Sequence, residues 1–166
     1  GDGKGGRREP SPSMAASNRL DNAQFCVEAV LAHGVPGNII ETGVWRGGAT
    51  IFMRGMLAAY GDRARHVWVA DSFAGLPAAD LERYPADKLW ENMAGWIAVS
   101  LETVQANFAR YGLLDAQVRF LPGWFKDTLP TAPIETLAIL RLAGDMYQST
   151  MEAFEALYDR LSPGGY

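Results

Sequence analysis

The sequence is poor in cysteine and in net positive charge, and each shortage excludes a class of protein. Its 166 residues include one cysteine, Cys26, so no disulfide can form within the chain, and a reducing cytoplasm is the expected location. The formal net charge is −4. A protein that binds nucleic acid or an anionic membrane presents a basic face, so neither partner is expected.

Long apolar runs are also missing. No stretch reaches the length of a membrane-spanning helix, and no signal peptide is visible. With 48% hydrophobic and 20% charged residues, the composition predicts one globular domain with its own core. Residues 1–17 are rich in glycine, proline, serine and arginine and are predicted to be flexible, which leaves residues 18–166 as the domain.

Residues 38–50 organise the rest of the chain. They read as a short buried strand ending in Glu41 and Thr42, a turn containing Gly43, Gly47 and Gly48, and the start of a helix. In open α/β sheets, ligands bind beyond the carboxyl ends of strands, beside a helix N-terminus. The turn is therefore a candidate binding site, with a plain connection as the alternative. Its spacing is not the Gly-x-Gly-x-x-Gly of dinucleotide-binding proteins.

Strand and helix patterns alternate four times along the chain. The pattern predicts an α/β fold, a mostly parallel sheet with helices on both faces. After the fourth strand and its helix, the turn Pro163-Gly164-Gly165 is placed to start a fifth strand, so the fold is expected to be truncated here. An uncovered strand edge invites pairing, which predicts association into a homo-oligomer.

Two further stretches are candidates for the site. Asp71 ends the second predicted strand, where a carboxylate either accepts hydrogen bonds from a ribose diol or caps a turn. Residues 78–99 are irregular and carry Trp90, Met93 and Trp96 as candidate substrate or lid contacts. The same segment also fits a packed surface helix or an oligomer contact.

Taken together, six stretches resemble the macrocin O-methyltransferase (TylF) family. They are Arg19-Leu20-Asp21-Asn22, Glu41-Thr42-Gly43-Val44-Trp45-Arg46-Gly47-Gly48, residues 68–77 (WVADSFAGLP), residues 107–114 (NFARYGLL), residues 118–130 (VRFLPGWFKDTLP) and residues 140–147 (LRLAGDMY). The resemblance implies a Rossmann-like class I methyltransferase fold and S-adenosylmethionine as cofactor. It also implies methylation of a hydroxyl, on a sugar of a glycosylated secondary metabolite, as in antibiotic biosynthesis.

The resemblance also gives roles to residues of the candidate site. The cofactor-binding positions fall on Glu41, Thr42, Gly43, Asp71, Ser72, Gly123 and Trp124. The first three, with the rest of the turn, would hold the methionine part of the cofactor. The next two would hold the ribose, and the last two would lie near the adenine.

The sequence departs from the family after the fourth strand. The family has Asp-Gly-Asp there, and its first acid belongs to a carboxylate group that binds magnesium and activates the acceptor. This chain has Ala143-Gly144-Asp145, and it ends before two adjacent acids that normally follow. Asp145 is therefore the remaining candidate for catalysis and for a metal, with the start of a helix as its alternative role.

Two other functions remain open. The change at Ala143 fits a catalytically impaired protein of the same fold that still binds the cofactor. A nicotinamide-dependent oxidoreductase is the second alternative, and the spacing of the turn argues against it.

Overall fold

The computed structural model describes residues 17–166, which form a parallel four-stranded sheet with helices on both faces. Except for Ser17, the segment predicted to be flexible lies outside the described residues. The helices are α1 (Ser17–Ala32), α2 (Gly48–Ala59), α3 (Leu101–Arg110), α4 (Phe125–Thr128) and α5 (Tyr147–Leu157). The strands are β1 (Asn38–Thr42), β2 (Val67–Asp71), β3 (Val118–Pro122) and β4 (Leu137–Leu142). The predicted α/β class is confirmed.

Strand β1 lies inside the sheet, whose order is β3-β2-β1-β4. Its apolar residues Ile39 and Ile40 are fully buried because the two faces of the sheet are both covered. In register, Glu41 lies beside Val69 of β2 and Arg141 of β4. All strands are parallel, so their carboxyl ends meet at one edge of the sheet, and the side chains that follow them converge there.

Each face of the sheet has its own apolar core. Helices α1 and α2 bury residues such as Val27, Leu57 and Ile39 on one face, and α3 adds Phe108 beside them. Helices α4 and α5 cover the other face, where Leu157 packs among the residues around Ile40. This packing fixes where each helix begins relative to the strand ends, and thereby shapes the site.

Residues 162–166 run along the outer edge of β4. The Ser162 amide donates to the Leu137 carbonyl at 2.8 Å, and the Leu140 amide donates to the Tyr166 carbonyl at 2.8 Å. These bonds begin to cover the edge where the sequence predicts a fifth strand. Self-association stays a prediction.

Two short elements were not predicted. Helix α4 and a 3-10 turn at Pro85–Trp90 both fall in stretches interrupted by proline or glycine, where helical periodicity is too short to read. Helix α5 ends at Leu157, and a 3-10 turn at Tyr158–Arg160 follows it. Within residues 17–166, no helix combines the length and the apolar character needed to cross a membrane.

Candidate functional site

A cavity of about 390 Å³ opens beyond the carboxyl ends of the strands. This volume lies within the range of small-molecule pockets. One side, called the turn side here, is formed by Glu41, Gly43, Gly48, Asp71 and Arg141. A second group of lining residues, called the helix side, comes from α1, from α5 and from the loop before α5, and consists of Arg19, Asp145, Gln148, Ser149 and Glu152.

Most residues predicted for the site line this cavity. Those that do are Glu41, Gly43, Asp71, Ser72, Gly123, Trp124 and Asp145. Thr42 is not among the lining residues and is 1% exposed. Trp90, Met93 and Trp96 do not line the cavity either. The structure thus assembles one predicted group around the strand ends and leaves the predicted lid aromatics outside it.

The turn after β1 has a conformation that requires glycine at Gly43. The φ of Gly43 is +84°, and a Cβ there would lie 2.8 Å from the carbonyl oxygen of Ala143. Two residues later, Trp45 adopts φ +50° without being glycine. Such a conformation costs free energy, and it persists where the surroundings fix it, often at a functional site.

The Asp71 carboxylate holds the turn in this conformation through hydrogen bonds to its backbone. Its Oδ2 accepts hydrogen bonds from the backbone amides of Val44 at 2.8 Å and Trp45 at 3.3 Å, and its Oδ1 accepts from the Phe73 amide at 2.9 Å. The Ser72 hydroxyl donates to the Gly75 carbonyl at 2.7 Å and makes only a long contact with Oδ1 of Asp71, at 3.5 Å. A carboxylate has about four acceptor positions, so Asp71 retains roughly one, on Oδ1. That is fewer than two donating ribose hydroxyls would use.

Glu41 and Arg141 form an ion pair at the bottom of the turn side. The Nε of Arg141 donates to Oε1 of Glu41 at 2.9 Å, and the hydroxyl of Thr50 in α2 donates to Oε2. Glu41 is 3% exposed. Burial raises the pKa of Glu41, and the Thr50 hydroxyl and the Arg141 charge oppose that shift. A paired, buried carboxylate of this kind is fixed in position.

Arg141 was not predicted as a site residue. The available signal was a single charge in the otherwise apolar run from Leu137 to Leu142. An arginine in a covered strand needs an acidic partner, and Glu41 is the penultimate residue of the neighbouring strand. Only the register of β1 against β4 identifies that partner.

Two sets of contacts hold the segment 78–99 in place, one to the loop after β2 and one to the start of α5. On one side, the Gly95 amide donates to the Leu76 carbonyl at 2.9 Å, and a Cβ at Gly75 would lie 2.5 Å from the Trp96 carbonyl oxygen. On the other side, Asp87 is 1% exposed and accepts from the first two amides of α5, at 2.7 and 2.9 Å. Because a carboxylate stabilises a helix N-terminus, Asp87 ties the segment to α5.

The segment reaches the cavity through Ala78 and Ile97. Ile97 is β-branched and has φ +56°, a conformation that such residues rarely adopt. Trp90 and Trp96 pack against each other instead, with ring centroids 6.0 Å apart, and Trp96 is 53% exposed. The segment does lie beside the site, but through residues other than the predicted aromatics.

The helix side carries Asp145 as an open carboxylate. Within residues 17–166, Asp145 has no hydrogen-bond partner, and its side chain is exposed. Partial desolvation and the charge of Asp71 raise the pKa of Asp145, while Arg19 lowers it. A raised pKa makes this carboxylate a stronger base.

Magnesium does not fit the donors present at this site. The described part of the chain contains no group of three or more histidine, cysteine or acidic side chains able to hold a metal ion. Ala143 supplies only a methyl group next to Asp145, and the Asp71 carboxylate already accepts backbone hydrogen bonds. Magnesium needs several oxygen ligands in octahedral geometry.

A family model and two similar proteins found by comparison all belong to O-methyltransferases. The model of the macrocin O-methyltransferase (TylF) family matches residues 6–166. The 8-demethyl-8-(2,3-dimethoxy-alpha-L-rhamnosyl)-tetracenomycin-C 4'-O-methyltransferase of Streptomyces olivaceus is 60% identical over 97% of this chain and 63% of its own length. The mycinamicin III 3''-O-methyltransferase of Micromonospora griseorubida is 57% identical over 93% of this chain and 62% of its own length.

A solved structure shares the fold closely. The O-methyltransferase NovP has a TM-score of 0.90 and 52% identity, over 94% of this chain and 65% of its own. The chain thus spans 62–63% of the length of the two curated relatives. Because the family model covers nearly the whole chain, the protein belongs to the macrocin O-methyltransferase (TylF) family, a family of methyltransferases whose methyl donor is S-adenosylmethionine.

Proposed function

We propose that this protein transfers a methyl group from S-adenosylmethionine to a sugar hydroxyl of a glycosylated small molecule. The observation that carries the proposal is the cavity at the strand ends, where the Gly43 turn, Asp71 and Trp124 meet in a chain of this family. Two curated relatives are named as enzymes that methylate a rhamnosyl tetracenomycin and a mycinamicin, which supports a glycosylated acceptor. Family membership gives no support to the oxidoreductase alternative.

In this proposal, the turn side binds the cofactor. The Gly43 turn receives the methionine part, and Gly123 and Trp124 receive the adenine. The ribose lies at Oδ1 of Asp71, which has room for one more hydrogen bond, so the second ribose hydroxyl needs another partner. When bound, the cofactor supplies a methyl group on a positively charged sulfur.

The helix side then receives the acceptor. A neutral sugar hydroxyl is a poor nucleophile, so a base that removes its proton accelerates transfer. Asp145 is the one carboxylate of this side without a partner among the described residues, and its raised pKa suits a base. Holding the hydroxyl in line with the methyl group supplies further acceleration.

A second candidate function follows from Ala143. With a methyl group where the family has an acid, the protein would bind the cofactor and transfer methyl groups slowly or not at all. Its role would then be assembly or regulation. The two candidates differ in turnover and share cofactor binding.

The first test is calorimetric titration of the folded protein with S-adenosylhomocysteine, with and without magnesium. We expect binding in both conditions, since the turn side lacks any predicted metal ligand. Absence of binding to the folded protein would overturn both candidate functions.

Turnover separates the candidates. Transfer of a labelled methyl group to a demethylated glycoside supports the enzyme, and cofactor binding without transfer supports the impaired protein. In the variant Ala143→Asp, a second acid stands near Asp145, and we expect transfer to become faster in magnesium than without it. Ala143→Asn, which has a similar size and no charge, is the matched control.

A further inference from the structure

Arg141 lines the cavity, and its side chain is partly exposed. It lies beside Glu41 in the register of β4 and β1, and its Nε is held by that carboxylate at 2.9 Å. The Glu41 side chain is 4% exposed, whereas the Arg141 side chain keeps 21% of its surface exposed. In this ion pair, Glu41 is therefore buried, whereas part of the Arg141 side chain remains accessible to a ligand.

The terminal nitrogens of Arg141 have no hydrogen-bond partner within residues 17–166. A guanidinium carries five N–H donors in a fixed fork, and one of these is used by Glu41. The two terminal nitrogens form the edge that matches the two oxygens of a carboxylate. Since Nε is fixed, this fork is oriented before any ligand arrives.

The surroundings of the fork favour an anion. Gly48 and Ala49, which open α2, also line the cavity, and no side chain caps that helix. The N-terminus of a helix carries partial positive charge. Both acids of the turn side already have partners, since Glu41 pairs with Arg141 and Asp71 accepts three backbone amides, whereas Asp145 on the helix side has none among the described residues. A negatively charged ligand group is therefore better placed at the turn side.

We infer that Arg141 binds the α-carboxylate of the cofactor through its terminal nitrogens, with Glu41 as the positioning residue that orients it. This inference rests on the proposed function, because S-adenosylmethionine carries one carboxylate, at the end of its methionine part. The sulfonium then lies between this anchor and the acceptor on the helix side.

The test compares two ligands that differ in the carboxylate alone. S-adenosylhomocysteine and its decarboxylated analogue, which keeps the amine, are titrated into the wild-type protein and into Arg141→Gln. We expect Arg141→Gln to weaken S-adenosylhomocysteine about 10- to 100-fold, the range for losing a charge-assisted hydrogen-bonded pair, and to leave the analogue's affinity nearly unchanged. Unchanged binding of the analogue also shows that the cavity is intact.

Two further variants complete the design. Arg141→Lys keeps a positive charge beside Glu41 and lacks the fork, so we expect a loss of several-fold for S-adenosylhomocysteine even if Arg141→Gln does not fold. Arg19→Gln removes the same charge from the helix side and is expected to keep the preference for the carboxylate.

The outcomes are distinct. Equal affinity for S-adenosylhomocysteine in the wild type and both Arg141 variants would overturn this inference alone. The same loss for both ligands would also overturn it. A folded wild-type protein that binds neither ligand would overturn the proposed function as well.

Discussion

The two sides of the cavity are built in different ways. On the turn side, Glu41 and Asp71 each accept several hydrogen bonds from neighbouring elements. On the helix side, Asp145 has no such partner among the described residues, and Glu152 accepts a single bond, from Gln148 at 2.8 Å. The turn side is therefore preorganised, whereas the acids of the helix side are held by few contacts.

This difference between the two sides indicates which kind of ligand each side suits. A fixed site binds a constant ligand at low cost in conformational entropy, which suits a cofactor shared by a family. An open side with few fixed groups suits acceptors that differ between relatives. The two curated relatives are named for different acceptors, in agreement with that division.

The largest effect on stability is expected from Glu41→Gln, which removes the ion pair between Glu41 and Arg141 on the turn side. The change leaves Arg141 without a charged partner, and we expect a loss of about 3 kcal/mol in the free energy of unfolding, as for other broken buried pairs. Urea unfolding measures the loss.

Its matched control is Glu152→Gln on the helix side. That carboxylate accepts one hydrogen bond and lies near the cavity surface, so we expect a loss below about 1 kcal/mol. Equal losses for the two variants would contradict the difference between the sides.

A smaller effect is expected from Asp71→Asn, which loosens the turn. Backbone amides of Val44, Trp45 and Phe73 lose a charged acceptor, and we expect about 2 kcal/mol of lost stability together with about tenfold weaker binding of S-adenosylhomocysteine.

The 2′-deoxy analogue of S-adenosylhomocysteine shows which role dominates. If Asp71 acts mainly through the turn, both ligands weaken by the same factor. A loss confined to the parent ligand would show that Asp71 acts mainly through the ribose.

The sequence predicted the residues of the turn side better than the long-range contacts around the cavity, such as the Arg141–Glu41 pair and the Asp87 cap of α5. Glu41, Gly43 and Asp71 stand at the ends of recognisable strands, so their convergence follows from a parallel sheet. Arg141 is 100 residues from Glu41, and the register that pairs them depends on packing rather than on local pattern. Asp87 lies in an irregular stretch after Pro85, where nothing in the sequence shows that it reaches the start of α5.

Asp87→Asn sharpens the comparison from the helix side. The variant weakens the cap on α5, and we expect a loss of about 1 kcal/mol, as for other helix caps, with faster hydrogen exchange in segment 78–99 and the first turn of α5. Hydrogen exchange with mass spectrometry measures this.

The control is Asp80→Asn in the same segment. Asp80 accepts from the Arg83 amide at an exposed position, so its exchange effect should stay local. Identical exchange in Asp87→Asn and the wild type would mean that Asp87 does not fasten the segment.

The smallest effect is expected from Asp115→Asn, which lies outside both sides of the cavity. Asp115 pairs with Arg54 of α2, whose side chain is 6% exposed, while that of Asp115 is 42% exposed. The hydrogen bonds from Arg54 lower the pKa of Asp115. Since this pKa is lower in the folded than in the unfolded state, the stabilisation is full above the unfolded value and is lost as the pH falls through the folded one.

We therefore expect Asp115→Asn to cost about 0.5 kcal/mol at pH 7, because solvent screens a carboxylate that is 42% exposed, with a difference from the wild type that shrinks below about pH 4. Unfolding by urea at several pH values measures this. S-adenosylhomocysteine affinity should stay unchanged, because Arg54 and Asp115 support the far side of α2 and do not line the cavity. A loss of affinity as large as that of Asp71→Asn would mean that binding follows overall stability, and the fixed contacts of the turn side would then have no special role.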